Sequence, residues 1–323
     1  MMPLLPARLA GRWLPALLVA VMLAGCGSSG APAPPPEDAA LASSARLARL
    51  SFEQQRPEQA ATLYRQALTQ AQQRDDLPAI ADLGWNLAVV LLRLDRPAEA
   101  AATAQATRDE VTRRGGTPQP QLLLVQAAAF YRTGYIGSAR TLAGEVVGNP
   151  QAPAEARGRA AFIDGLIAAD QNDRSGIAAA LAQMDALAEE PLPALVPDRS
   201  ELAGRLALLN GDPVAASSAF LAAADGRRTV LDYPGMARAL AGAAGAAESL
   251  GNAGKAADMW LRAGRTAQIG GQTVVAREWL TRARDVAGQA GATDVALEAT
   301  ARLRVLGAEP GSSQPSRVPA GSG

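Results

Sequence analysis

The sequence predicts an all-α protein, a right-handed α-solenoid of about seven helix-turn-helix repeats with a period of about 39 residues. Three observations carry this. Turn-like strings recur as Arg56-Pro57-Glu58-Gln59-Ala60, Arg96-Pro97-Ala98-Glu99-Ala100 and Asp212-Pro213-Val214-Ala215-Ala216. Apolar residues between the turns follow the 3.6-residue helical period, as Ala60, Leu63, Tyr64, Ala67 and Leu68 do after the first turn and Leu47, Ala48 and Leu50 before it. Finally, no run alternates apolar and polar residues as a half-buried strand would.

Reading from the N-terminus, Arg8 and Arg12 precede the short apolar run Trp13 to Leu23 and the small residues Ala24-Gly25, a secretory signal by composition. The run falls short of the about 20 apolar residues of a membrane span and contains Pro15. Its end, Leu23-Ala24-Gly25-Cys26, resembles the lipobox of bacterial lipoproteins, with an ordinary cleaved signal as the alternative. The resemblance implies removal of residues 1–25, lipidation of Cys26 (thioether-linked lipid and a palmitate-type amide chain) and, with Gly27 rather than aspartate next, sorting to the outer membrane of a Gram-negative cell, facing the periplasm. Several acyl chains on one residue give stable anchoring where one is marginal. Residues 26–38 then form a lipidated cysteine and a flexible Pro/Gly/Ser linker, residues 39–306 the repeat domain, and residues 307–323 a disordered tail.

Composition narrows the chemistry. Without the leader the chain has 29 basic and 31 acidic residues, so neither nucleic acid nor anionic lipid is an expected partner. Lys255 is the sole lysine, and there is no histidine. That removes the usual triads and most zinc sites, and Cys26, the only cysteine, is consumed by lipid. No metal, no cofactor and no enzymatic activity are expected. Gly251-Asn252-Ala253-Gly254-Lys255-Ala256 is read as an inter-helix turn, because a phosphate loop would need a hydroxyl at Ala256. Asp75-Asp76, Asp109-Glu110 and Glu189-Glu190 are read as solvated pairs that point about 100° apart on a helix.

Within the repeats a small residue follows each turn at Ala60, Ala100, Ala139, Ala216, Ala256 and Ala296, with Ile177 in the irregular slot. Gly134, Gly211, Gly251 and Gly291 are placed for left-handed helix ends, and Pro57, Pro97 and Pro213 for helix starts. The first helices carry a small residue at Ala48, Ala88, Ala127, Gly165, Gly204 and Ala244, replaced by Arg284 in the last unit. This spacing resembles the tetratricopeptide repeat, whose aromatic position is matched by Tyr64, Phe220 and Trp260. A second frame, Trp260-Ala263-Gly264-Ala267-Gly271-Ala276-Leu280-Ala283, fits the same signature, leaving the C-terminal helix pairing open.

The resemblance implies a concave face lined by the first helix of each pair. Carried over, its candidate partner-binding residues are Arg49 and Phe52, Trp85 and Arg93 (with Leu92), Tyr131 and Arg132, Phe162 and Asp170 (with Leu166), and Glu201 and Arg205. Aromatic and arginine side chains dominate binding hot spots, so an envelope protein or peptide is the expected partner. The alternative for Trp85 and Phe162 is core packing. Lipoproteins of this build resemble scaffolds for pilus and secretin assembly, outer-membrane protein assembly or cell-wall synthesis; a pilotin-like factor for type IV pili is the preferred expectation, with a cell-wall enzyme regulator beside it. The alternative from another class is a small-ligand binder or enzyme using carboxylates in the groove.

Overall fold

Hydrogen-bonded caps mark where several of the helices begin and end. In the computed structural model, which describes residues 39–187 and 192–308, the side chains of Asp76, Asp173, Asp212, Asp232 and Asn252 each accept from the backbone N–H three residues on. The backbone N–H groups of Asp76, Arg96 and Asn252 donate to the carbonyl five residues back, at 3.0, 2.9 and 3.0 Å, which closes the preceding helix. The leader, Cys26, the Gly27–Asp38 linker, Glu189-Glu190 and the tail from residue 309 lie outside the described residues.

Between these caps run fourteen helices among the described residues. They are α1 (Ala39–Glu53), α2 (Pro57–Gln73), α3 (Leu77–Arg93), α4 (Pro97–Arg113), α5 (Pro120–Arg132), α6 (Ile136–Val147) and α7 (Ala154–Asp170). There follow α8 (Arg174–Asp185), α9 (Val196–Leu209), α10 (Pro213–Thr229), α11 (Tyr233–Ser249), α12 (Ala253–Ile269), α13 (Thr273–Ala290) and α14 (Thr293–Ala308). The seven predicted turns are the α1–α2, α3–α4, α5–α6, α7–α8, α9–α10, α11–α12 and α13–α14 connections, so the all-α helical array and its repeat number are as expected. No helix among the described residues is long and apolar enough to cross a membrane.

The α2–α3, α10–α11 and α12–α13 connections between pairs are as tight as the turns within pairs, whereas those from α4 to α5, α6 to α7 and α8 to α9 are longer. Left-handed backbone occurs at Gln55, Asp75, Asp95 and Gly115, then at Gly211, Leu231, Gly251, Gly271 and Gly291, in steps of 20 residues. The repeat thus contains two nearly equivalent helix-turn halves. Several of these sites use Gln, Asp or Leu where the glycine pattern in the sequence gave no signal, and Asp75-Asp76 proves to be a turn residue followed by a cap, not a helical pair.

Small residues sit where helices cross. Ala48, Ala60, Ala88, Ala100, Ala127, Ala139, Ala216, Ala244 and Ala256 are fully buried, as is Ile177. Gly165 and Gly204 lie so close to Leu202 and Phe220 that a Cβ would approach them at 2.5 and 3.0 Å. At the array's start the expectation fails: Leu47 and Leu50 are 52% and 42% exposed, while Leu41 and Ala48 are buried. Among the described residues α1 is the first helix and has a helical neighbour on one side only, which leaves Leu47 and Leu50 uncovered there.

Which helices face inward follows from the next-but-one contacts, because helices on the inside of a curved stack approach each other. Those contacts run α3 to α5, α5 to α7, α7 to α9 and α9 to α11. Beyond α11 the contact is α12 to α14. The second sequence frame is the one adopted there: Ala263, Ala267, Ala276, Leu280 and Ala283 are fully buried, a Cβ on Gly264 would meet Leu280 at 2.6 Å, and Arg284 is exposed.

Candidate partner-binding face

The inward helices α3, α5, α7, α9 and α11 bring most of the candidate residues onto one connected surface. At its N-terminal end Phe52 is partly buried on the edge of the first core cluster. Trp85 is half-buried against Ala88, Ala104, Leu122 and Val125. Arg49 is exposed and reaches the hydroxyl of Tyr64, whose pKa burial raises against the opposing effect of Arg49.

Toward the middle the face bonds to itself. The Arg132 guanidinium donates to the Leu92 carbonyl at 2.6 Å and pairs with Asp95. Tyr131 donates to Asp170 at 2.8 Å, and Asp170 pairs with Arg205 at 3.6 Å. Burial, together with that hydrogen bond, pushes the Tyr131 hydroxyl pKa upward, so it remains a proton donor.

Two expected face residues, Phe162 and Glu201, lie in the floor. Phe162 is 8% exposed and carries the guanidinium groups of Arg227 and Arg238 at 5.5 and 5.9 Å from its ring centre. Glu201 is fully buried, accepts from Arg238 at 2.6 and 3.0 Å and from Arg205 at 3.3 Å, and forms an ion pair with Arg227 at 2.8 Å. Burial opposes its ionisation, but the arginines prevail and hold its pKa down to about 2. One turn earlier, Asp198 shares Arg227 at 2.8 Å, yet burial outweighs that partner and pushes its pKa up. Both carboxylates are thus engaged by arginine, the arrangement of a packed ionic floor.

A longer reach joins distant repeats. Arg93, on the last turn of α3, pairs with Asp232 at 3.2 Å, donates to the Leu231 carbonyl, and approaches Gln55 at 3.4 Å. Asp232 also faces Arg227 at 3.5 Å. This clasp connects the second repeat to the turn between α10 and α11, 139 residues away.

Arg227, Arg238, Asp198 and Asp232 escaped the sequence reading because they lie off the positions carried over from the repeat signature. A signal was present for one of them: Arg238 and Glu248 are the two charged residues of the otherwise alanine- and glycine-rich α11, and both are tied into ion pairs.

No family model matches the chain, and no curated protein matches it. Solved structures similar to it include a tetratricopeptide repeat protein from Parabacteroides merdae ATCC 43184, at 12% identity over 80% of this chain and 98% of that one, with a TM-score of 0.46. PilW, a widely conserved type IV pilus biogenesis factor, is 16% identical over 74% of this chain and 100% of its own, with a TM-score of 0.45. A Rap protein complexed with competence and sporulation factor is 12% identical over 83% of this chain and 98% of that one, also at 0.45.

Proposed function

We propose that this chain is a non-enzymatic scaffold, tethered by lipid at Cys26 to the periplasmic side of the outer membrane, that captures an envelope protein or peptide on its inward face. One observation supports the partner-binding part: Trp85 on the inward helix α3 is half-buried, and Arg49 and Phe52 on α1 add guanidinium and apolar surface, whereas the α5–α11 section is bonded to itself. Amphipathic peptides with carboxylates suit such a mixture, since aromatic anchors supply area and arginine pairs with anions. The assembly pathway, pilus and secretin or cell wall, follows from the partner's identity.

The test is crosslinking in living cells from photoreactive residues at Trp85 and Tyr131, with Arg65 on α2 as the outward control; Arg65 is exposed and paired with Glu99 at 3.4 Å. Capture of one envelope protein from Trp85 or Tyr131, lost in a folded Trp85→Ala/Tyr131→Ala variant, is the expected result. Capture from Arg65 alone, or unchanged capture by the double variant, removes the inward face from consideration.

A further inference from the structure

Near the C-terminal end of the array, Trp260 on α12 and Trp279 on α13 line a pocket of about 400 Å³ together with Glu278, Thr281, Arg282 and Asp285. That is within the size of small-molecule sites, roughly 300–1,000 Å³. Both indoles are half-buried and rest on the apolar cluster of Leu240, Met259 and Ala263, so their position is set by packing. The Trp260 Nε1–H donates to the Glu248 carboxylate, which also accepts from Arg282 Nε at 3.0 Å. Glu248 therefore fixes the Trp260 ring and neutralises the one cation on the pocket wall.

What remains is acidic. Glu278 is exposed and has no ion pair or hydrogen bond among the described residues, and Asp285 pairs at 2.8 Å with its chain neighbour Arg284. Among the described residues the cations stacked on rings are Arg227 and Arg238, both on Phe162, so neither indole already holds a cation of the protein. Indole faces are electron-rich, and a desolvated cation over tryptophan beside an unneutralised carboxylate gains from both. Quaternary ammonium is suited to this combination, because it presents methyl groups to the rings and needs no hydrogen-bond acceptors.

We infer that the Trp260/Trp279 pocket binds a trimethylammonium group, carried by a small solute or by a lipid headgroup. The indoles offer aromatic surface to the methyl groups, Glu278 supplies the countercharge, and the Thr281 hydroxyl is available to a polar substituent on the ligand. The site shares no residue with the candidate partner-binding residues of the first repeats.

Calorimetric titration of the full chain with choline chloride at matched ionic strength tests it, with 3,3-dimethylbutan-1-ol as the uncharged isostere. Saturable choline binding without response to the isostere is expected. Glu278→Gln, an exposed change that leaves the fold intact, should weaken binding roughly fivefold, and Trp279→Ala should abolish it with helical circular dichroism retained. Phosphatidylcholine vesicles separate the sources: flotation with vesicles that choline competes away assigns the headgroup, and choline binding without flotation assigns a free solute. Absence of saturable choline binding, an equal response to the isostere, or unaltered binding by Glu278→Gln would overturn the assignment.

Discussion

Glu201 is held by three guanidinium groups in a place no solvent reaches. Removing its charge leaves Arg238 without its ion-pair partner and Arg227, itself 4% exposed, with one fewer of its close carboxylates, so Glu201→Gln should cost about 3–5 kcal/mol in urea unfolding. Its folded pKa lies below the ordinary 4.5, so its contribution is present above pH 4.5 and is lost as the pH falls toward 2. Asp164 on α7 behaves oppositely. Burial outweighs the nearby Arg140 and raises its carboxyl pKa to about 6, and its Oδ1 is buried without a hydrogen-bond partner. The folded state then holds this proton more tightly than the unfolded chain, so stability falls as pH rises from about 4 to 6 and the penalty is complete above that. Asp164→Asn should stabilise the protein at pH 8 by roughly 1–2 kcal/mol, allowing for partial exposure of the side chain, with the gain vanishing near pH 3.5. Neither behaviour was legible in the sequence, where both residues are single acids on helices.

At the scale of the helix, crossings depend on residues too small to obstruct them. Gly264 on α12 lets Leu280 of α13 approach to a distance that a Cβ would contest at 2.6 Å, with the Leu280 backbone nitrogen at 3.0 Å. Since backbone must shift along with side chain, Gly264→Ala should cost about 1–3 kcal/mol despite the better helix propensity of alanine, as thermal unfolding would show. Ala48, Ala88 and Ala127 were legible as crossing positions because their spacing repeats, and Arg284 was legible as the break in that series. The pairing phase was not, because turns within and between the C-terminal pairs are alike: a left-handed residue recurs every 20 positions from 211 to 291, and each helix there meets an equivalent connection on both sides.

At the scale of the whole molecule, the clasp from Arg93 to Asp232 and Leu231 joins parts of the array that the chain itself connects only through the seven helices α4 to α10. Arg93→Ala should widen the distance distribution between spin labels at Gln54 and Thr229, both exposed, while leaving helical circular dichroism unchanged. An unchanged distribution would mean that helix packing alone fixes that separation. Cys26→Ser should release the protein from the membrane fraction without loss of helical signal, as expected if the tether is separate from the repeat domain.

The sequence by itself determined the helices, their number and the small residues at their crossings, because each depends on interactions within a turn or between adjacent helices. Tertiary structure alone decided where the order of inward helices changes after α11, and that Phe162 and Glu201 belong to the floor. It also brought Arg93 to Asp232 and Arg238 to Glu201. Such contacts depend on small rotations between successive helices accumulated over many repeats, and no local spacing in the chain records their sum.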